Sequence, residues 1–236
     1  MTPLDQQISE SRDLFKHLLH RYAWLANTFA LLAPMVNDKR LKDRFSKSKE
    51  LSEAASPVAR ALFNSCVVDV CTLVLDDEQE KINPSLRRLV RPFLPQHGTR
   101  DPKLLKRLAT LCPKNETRRL FRAHAKQWAQ YLTEDWGRLK KIMPQFEKMR
   151  HKWISHYEVE RHPLTQQFRD IEWATLNELY PDLDEIFQII TRLVMYLMRL
   201  LFYGEMKVKK FEREINRQAD VFWGLRSAKR KISRSV

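Results

Sequence analysis

The stretch IFQIITRLVMYLMRLLFY, residues 186–203, is the most apolar run in the chain. It nevertheless carries Gln188, Arg192 and Arg199, and polar side chains at this density are costly inside a lipid bilayer. The run therefore indicates a helix in a protein core rather than a membrane span. We expect this helix to cover residues 183–203, beginning after Pro181 and ending at Gly204.

Helical periodicity continues towards the N-terminus. Apolar residues recur three or four positions apart over residues 4–33, before Pro34. The sequence Ser56-Pro57 predicts the start of a second helix, with serine as the cap and proline in the first turn. That helix runs to Leu75 and is apolar on most sides, so we expect it near the centre of the bundle. The polar segment 39–53 is either a short helix or an exposed connection.

Five further helices are predicted from apolar spacing and from flanking proline, glycine and aspartate. They cover residues 83–92, 101–112, 116–143, 145–159 and 206–223. Pro144 is expected to kink or break the chain between the third and fourth of these. There is no internal repeat and no convincing strand. The predicted fold is an all-α bundle of about six to eight helices.

Length and composition agree with this fold class. The chain has 236 residues, enough for one large domain or for one domain with an extension. Only 4 residues are glycine, which disfavours a turn-rich β fold. We predict a helical domain over residues 1–204 and a basic C-terminal helix and tail over residues 205–236.

The charge balance points to an acidic partner. The net charge is +14, and residues 207–236 alone carry ten Lys or Arg against three Asp or Glu. Such a surplus favours nucleic acid, or less strongly an anionic membrane. A solubilising role for the C-terminal tail is the alternative.

Cysteine usage indicates a reducing, cytoplasmic setting. The 3 cysteines form neither a disulfide framework nor a zinc-binding spacing, and Cys66 and Cys71 lie in an apolar helical run where burial is expected. No signal peptide is recognisable, because charged residues occur throughout the first fifteen positions. The sequence has no phosphate-binding or dinucleotide-binding glycine loop. We expect no metal ion, no cofactor and no membrane partner.

One short stretch, EKMRHKWISHYE at residues 147–158, contains chemistry suited to phosphodiester cleavage. Arg150 is a permanent cation whose guanidinium matches phosphate, and His156 can exchange a proton near neutral pH. The stretch is compatible with a helix and lies between Pro144 and Pro163. The spacing alone is a weak signal in a chain rich in both residue types.

An arginine followed after a few residues by a histidine resembles the signature of the HEPN superfamily of small helical proteins. A second stretch is similar to its AbiU-type branch, which is associated with abortive infection. There, an apolar helix at 67–77 ends in acid and is followed by Ser85, Leu86 and Leu89 in the pattern Ser-Leu-x-x-Leu. The resemblance covers about residues 10–200.

The resemblance implies a metal-independent endoribonuclease of bacterial defence or toxin type, active against phage infection. His156 would exchange protons with the ribose 2′-hydroxyl or the leaving 5′-oxygen, and Arg150 would hold the scissile phosphate. The product would be a 2′,3′-cyclic phosphate. His151, Lys152 and Tyr157 would contact the substrate. Some HEPN toxins place a tyrosine two residues after the histidine, whereas Tyr157 follows it directly.

The implied partners are RNA, a second copy of the chain, and an antitoxin or acidic partner protein. Six residues on an ideal helix correspond to a rotation of about 240°, so Arg150 and His156 would not share a face. HEPN proteins commonly form dimers in which two motifs face one cleft. In such a cleft, Arg150 and His156 need not share a face of one helix. In the alternative interpretation His156 packs on an apolar stripe with Met149 and Trp153. The chain would then be a non-catalytic RNA-binding or protein-interaction module.

The basic tail yields a first prediction. Deleting the residues after Gly224 removes five cations, so RNA affinity should weaken. The slope of log K against log salt should become shallower by about 3, since roughly 0.7 counterions are released per phosphate of a single strand. Fluorescence anisotropy with a labelled RNA at several salt concentrations measures both quantities. An unchanged slope would assign the tail to solubility or to a protein partner.

Overall fold

The computed structural model describes residues 2–75, 85–94, 102–112, 115–150, 173–203 and 208–225. Within these ranges the chain forms eight α-helices, one 3-10 helix and no strand. The α-helices are α1 Pro3–Asn37, α2 Lys39–Ser46, α3 Lys49–Leu75, α4 Leu86–Val90, α5 Pro102–Thr110, α6 Asn115–Met149, α7 Trp173–Phe202 and α8 Val208–Phe222, and the 3-10 helix is Arg91–Phe93. The predicted all-α bundle is confirmed.

The long helices α1, α3, α6 and α7 enclose the core. The helix α6 packs most extensively against α7, α1 packs against α3, and α3 also contacts α6 and α7. Along the apolar run 186–203, the side chains of Ile186, Ile190, Leu193 and Leu197 are completely buried. The prediction that this run forms a core helix is therefore confirmed.

Polar and aromatic contacts fix the relative direction of α1 and α7. The Tyr22 hydroxyl lies 3.0 Å from the Thr191 hydroxyl, and Asn37 donates a 3.2 Å hydrogen bond to the Tyr180 hydroxyl. Phe29 stacks on Phe187 with ring centroids 4.4 Å apart. Because rising positions on α1 meet falling positions on α7, the two helices are antiparallel.

The helix α3 begins seven residues earlier than predicted, at Lys49 rather than at Ser56-Pro57. The cap is Ser48, whose hydroxyl accepts a hydrogen bond from the Leu51 amide at 3.3 Å. Pro57 lies inside the helix, where the first buried alanines, Ala55 and Ala59, flank it. Pro57 is the ninth residue of α3, beyond the first turn, so the helix lacks one backbone hydrogen bond there. The segment 39–53, for which two interpretations were open, contains the short helix α2.

The first helix also extends past its predicted end. It continues through Pro34 to Asn37, and Asp38 joins it to α2. The Asp38 amide donates to the Pro34 carbonyl at 2.9 Å, and its carboxylate accepts from the Arg40 amide at 2.8 Å. One residue therefore caps two consecutive helices.

The predicted start of α7 at Pro181 is also wrong, because the helix begins at Trp173. Leu176 and Tyr180, which precede the proline, are buried at 1% and 5% exposure. Tyr180 stacks on Phe29 at 5.7 Å, so this additional segment is held by the same core as the rest of α7. Burial of the apolar side chains before the proline offsets the loss of a backbone hydrogen bond.

The end of α7 is held by side chains. Tyr203 adopts a left-handed backbone conformation with φ 57°, which is unusual for a bulky residue. Its hydroxyl donates to the Leu108 carbonyl at 2.6 Å and accepts from Arg12 at 3.1 Å. Arg12 also donates to the Leu201 carbonyl at 2.9 Å. These bonds join α1, α5 and the end of α7, while the predicted terminator Gly204 lies outside the described residues.

The helix α8 packs against α1. The Trp223 indole donates to the Leu31 carbonyl at 2.9 Å, and Arg44 donates to the Trp223 carbonyl at 3.1 Å. The predicted stop at Gly224 is confirmed: its φ is +65°, and the Leu225 amide donates to the Asp220 carbonyl at 2.8 Å. The proposed division between residues 1–204 and 205–236 stays a prediction.

Among the described helices, α3 alone is long and apolar enough to cross a membrane by length and composition. Its apolar side packs against α1, α6 and α7 within the bundle. Cys66 and Cys71 are completely buried on this helix, as predicted, and burial raises the pKa of the Cys66 thiol.

A carboxyl group lies partly inside this packing, at Asp69 of α3. Its Oδ2 atom is buried and lacks a hydrogen-bond partner among the described residues. Burial raises the pKa of Asp69 above its ordinary value, although a hydrogen bond from Ser65 and the charge of Arg21 oppose the shift. The folded state therefore favours the protonated carboxyl more than the unfolded state does.

We expect Asp69→Asn to raise the free energy of unfolding at pH 7. Ionising a carboxyl whose folded pKa is raised costs stability as pH rises through that pKa. Below about pH 3.9 the carboxyl is protonated in both folded and unfolded states, so the gain should disappear there. Urea unfolding at pH 7 and at pH 3.5 measures the difference, with the exposed Asp43→Asn as the control. Equal stabilities of parent and variant at pH 7 would contradict it.

Candidate active site

Arg150, one of the two predicted catalytic residues, directly follows α6. Its side chain is partly buried, and its backbone passes from α-helical to π-helical hydrogen bonding. Single π turns within helices are frequent at functional sites.

Of the two outcomes expected at Pro144, a break is wrong, because α6 continues through the proline to Met149, and a kink stays a prediction. The side chains of Leu139, Met143, Phe146 and Met149 are buried, with exposures of 0%, 2%, 0% and 8%. They recur three or four residues apart and thus form one apolar face on both sides of the proline. The first five residues of the predicted helix 145–159 therefore belong to α6, whose packed end precedes Arg150, and residues 151–159 lie outside the described residues.

Two polar contacts tie α6 to α7. Arg192 donates two parallel hydrogen bonds to the Asp135 carboxylate, at 2.8 and 2.9 Å. Nearer the motif, the Gln145 amide donates to the Asp182 carboxylate at 2.6 Å. The Asp135 hydrogen bonds raise the pKa of Arg192, so that side chain stays charged throughout the working range of a protein. The paired guanidinium and carboxylate fix the register of the two helices.

The remaining predicted site residues lie outside the described residues. These are His156, the second catalytic candidate, and the predicted substrate contacts His151, Lys152 and Tyr157. The structure therefore places one member of the motif and gives no distance from Arg150 to His156.

The Ser-Leu-x-x-Leu pattern that contributed to the family resemblance has a structural role. The Ser85 hydroxyl accepts a 3.4 Å hydrogen bond from the Arg88 amide and caps α4. Leu86 and Leu89 are buried at 0% and 1% exposure. The pattern thus fixes a short helix to the core.

This short helix also forms one side of an open pocket that the sequence did not reveal. The pocket has a volume of about 420 Å³, and it is lined by Gln7, Glu10, Ser11, Leu14, Arg88, Arg91 and Pro92. Residues 74 positions or more apart in sequence, from Leu14 to Arg88 and beyond, meet there, so no local motif could have predicted the pocket. Glu10 shares the pocket with Arg88 and Arg91. Its negative charge makes the pocket less suited to an anion than a pocket lined by the two arginines without it.

Metal-binding groups are sparse in the described part of the chain. No three His, Cys, Asp or Glu side chains lie close enough together there to hold a metal ion. Two tryptophans of α6 are engaged in packing: Trp136 is buried, and Trp128 contacts Phe121 and the Arg199 guanidinium. The sequence analysis also missed a row of exposed cations on α6, which includes Arg119, Arg122 and Lys126.

Comparison with known proteins identifies the family of the chain. The model of the HEPN family AbiU2 matches residues 8–203, a range that includes both Arg150 and His156. No curated protein and no solved structure matches. The match extends from α1 to the end of α7, covers most of the chain and coincides with the helices that form the core. The chain therefore belongs to the AbiU2 family of HEPN domains, a family linked by its name to abortive infection.

Proposed function

We propose that the chain is a metal-independent endoribonuclease of bacterial defence, in which Arg150 and His156 cleave RNA. The observation that carries the proposal is that the family match spans an Arg-x5-His motif whose arginine directly follows a helix anchored in the core. The net charge of +14 is also suited to an RNA substrate.

The position of Arg150 suits a phosphate contact. A guanidinium that follows a packed helix loses less freedom on binding than one on a mobile loop, and it can donate two hydrogen bonds to one phosphate. Arg150 would stabilise the charge that develops on the phosphate oxygens in the transition state. Loss of such a contact typically costs about 10²–10³ in rate.

The proposed reaction is an internal displacement at phosphorus. His156 takes the proton from the ribose 2′-hydroxyl, and the 2′-oxygen forms a new bond to phosphorus. The bond from phosphorus to the 5′-oxygen breaks. The departing 5′-oxygen receives a proton from a protonated His156 or from water. The products are a 2′,3′-cyclic phosphate and a 5′-hydroxyl. DNA lacks the attacking hydroxyl and would not be cut.

We predict that His156→Ala lowers the cleavage rate by about 10²–10⁴, because alanine cannot transfer a proton. Arg150→Lys should also lose most activity, since an ammonium cannot reproduce the guanidinium fork. The assay is cleavage of a labelled RNA in excess chelator. The matched control is His162→Ala, which removes a histidine from the same segment outside the motif and should keep parental activity.

Full cleavage by a folded His156→Ala variant would contradict the proposed mechanism. A parent protein that binds RNA but never cuts it would instead support a non-catalytic RNA-binding module. Thermal melts followed by circular dichroism accompany both assays. They separate loss of chemistry from loss of fold, because a histidine packed on an apolar stripe would lower the melting temperature when removed.

We further propose that the active form is a symmetric dimer whose cleft combines Arg150 of one copy with His156 of the other. Light scattering should then give about twice the chain mass of 28.3 kDa at micromolar concentration. A single species of one chain mass would contradict the dimer.

A mixing experiment tests whether the site is shared. Arg150→Ala and His156→Ala are each expected to be inactive alone. If the two residues come from different copies, half of the dimers in an equal mixture are mixed, and each of these has one intact site of two. The mixture should therefore recover about a quarter of the parental rate. No recovery after subunit exchange, checked by light scattering of tagged copies, would contradict a shared site.

A further inference from the structure

Six exposed cations lie on one side of α6, and we call them the α6 cationic face. They are Arg119, Arg122, Lys126, Lys140, Lys141 and Lys148. At about 100° per residue they fall within an arc of roughly 100°. No Asp or Glu of α6 falls within that arc. Gly137, at its centre, has nothing within 4 Å of the position where a Cβ would stand, so the middle of the face is open.

Within the described part of the chain, none of the six cations forms an ion pair. Glu134 and Glu147 are exposed and stand about 20° outside the edges of the arc. Asp135 is buried against Arg192, and Glu134 accepts a 2.9 Å hydrogen bond from Gln130. The helix thus places its described acids off the face and leaves the positive charges exposed.

The arrangement opposes helix stability. Arg119 and Arg122 are three residues apart, and Arg122 and Lys126 are four apart, so like charges are neighbours on the helix surface. An anion bound along this face would relieve both repulsions at once.

The shape and chemistry of the face favour a polyphosphate backbone. From Arg119 to Lys148 it extends about 43 Å along the helix. Lys148 is two residues before Arg150 and stands about 200° around the helix from it, so a bound strand must turn across the end of α6 to reach Arg150. Protein interfaces are centred on apolar and aromatic side chains and are depleted in lysine. Here the cations form two groups, on either side of Gln130, Thr133 and Gly137, and no large apolar side chain lies among them.

We propose that the α6 cationic face is the docking surface for single-stranded RNA and guides it to the end of α6 at Arg150. The inference rests on the proposed ribonuclease function and assigns a surface for its substrate. RNA phosphates replace the counterions of the face, so binding is dominated by electrostatics and is largely independent of base sequence.

The test compares two variants that each lose three positive charges. The face variant carries Arg119→Gln, Arg122→Gln and Lys126→Gln. The control carries Lys39→Gln, Lys42→Gln and Lys47→Gln, which are exposed cations at α2. Both are made in a His156→Ala background so that RNA is not cut. Binding of a fluorescein-labelled 20-nucleotide single-stranded RNA is followed by anisotropy at several KCl concentrations.

For the face variant, the slope of log K against log salt should become shallower by about 2, and affinity at 0.1 M salt should fall about 100-fold. The control should stay within about threefold of the His156→Ala parent. The melting temperature of the face variant should equal or exceed that of this parent, because like-charge repulsion is removed. This excludes misfolding as the cause of lost affinity.

Equal losses in both variants would assign RNA binding to overall charge and overturn the proposal, as would unchanged RNA affinity of the face variant. Polyglutamate serves as a second probe. A face variant that loses polyglutamate binding but keeps RNA binding would assign the face to an acidic protein. RNA binding is measured in the His156→Ala background and does not depend on cleavage. If the unmutated protein failed to cut RNA, the proposed ribonuclease function would be refuted, but the test of the α6 cationic face would still stand.

Discussion

The packing of α6 against α7 is the interaction on which the rest of the molecule depends. A proline inside a helix costs about 3 kcal/mol, and Pro144 stands only six residues before Arg150. Phe146 and Met149, beyond the proline, are buried, and each such side chain contributes about 1.5–3 kcal/mol. Their burial is comparable to the cost of the proline. The helix therefore continues, and Arg150 emerges from a core that also contains the Asp135–Arg192 pair.

The balance between the cost of a proline and the burial of side chains beyond it also explains which parts of the fold were predictable. Apolar spacing predicted every long helix, because side chains that form one buried face of a helix recur three or four residues apart in the sequence. Their ends were predicted less well. Pro34, Pro57, Pro144 and Pro181 each suggested a boundary, yet each lies inside a helix. A local rule about proline cannot include the burial of residues on its far side, which depends on partners distant in sequence.

The candidate site shows a similar division. The Arg-x5-His motif was recognisable from local spacing and lies within residues 8–203, the range of the family match, while its role stays a prediction. The partial burial of Arg150 and the change in helical hydrogen bonding there depend on tertiary packing, so the sequence could not predict them. The α6 cationic face was present in the sequence as a helical pattern. It was missed because α6 was considered for its apolar residues, and because its predicted end at Pro144 divided the row into two parts.

These features support the proposal that this member of the AbiU2 family cleaves RNA, with Arg150 held by the core and the α6 cationic face as the docking surface for the substrate. The most direct test of that account is the chemistry of the cut end. A defined RNA is incubated with the parent in excess chelator, and the fragments are analysed by mass spectrometry. We predict 2′,3′-cyclic phosphate ends, and no cleavage where the scissile nucleotide carries a 2′-O-methyl group. Fragments with 5′-phosphate ends, or cleavage that persists opposite a blocked 2′-oxygen, would contradict it.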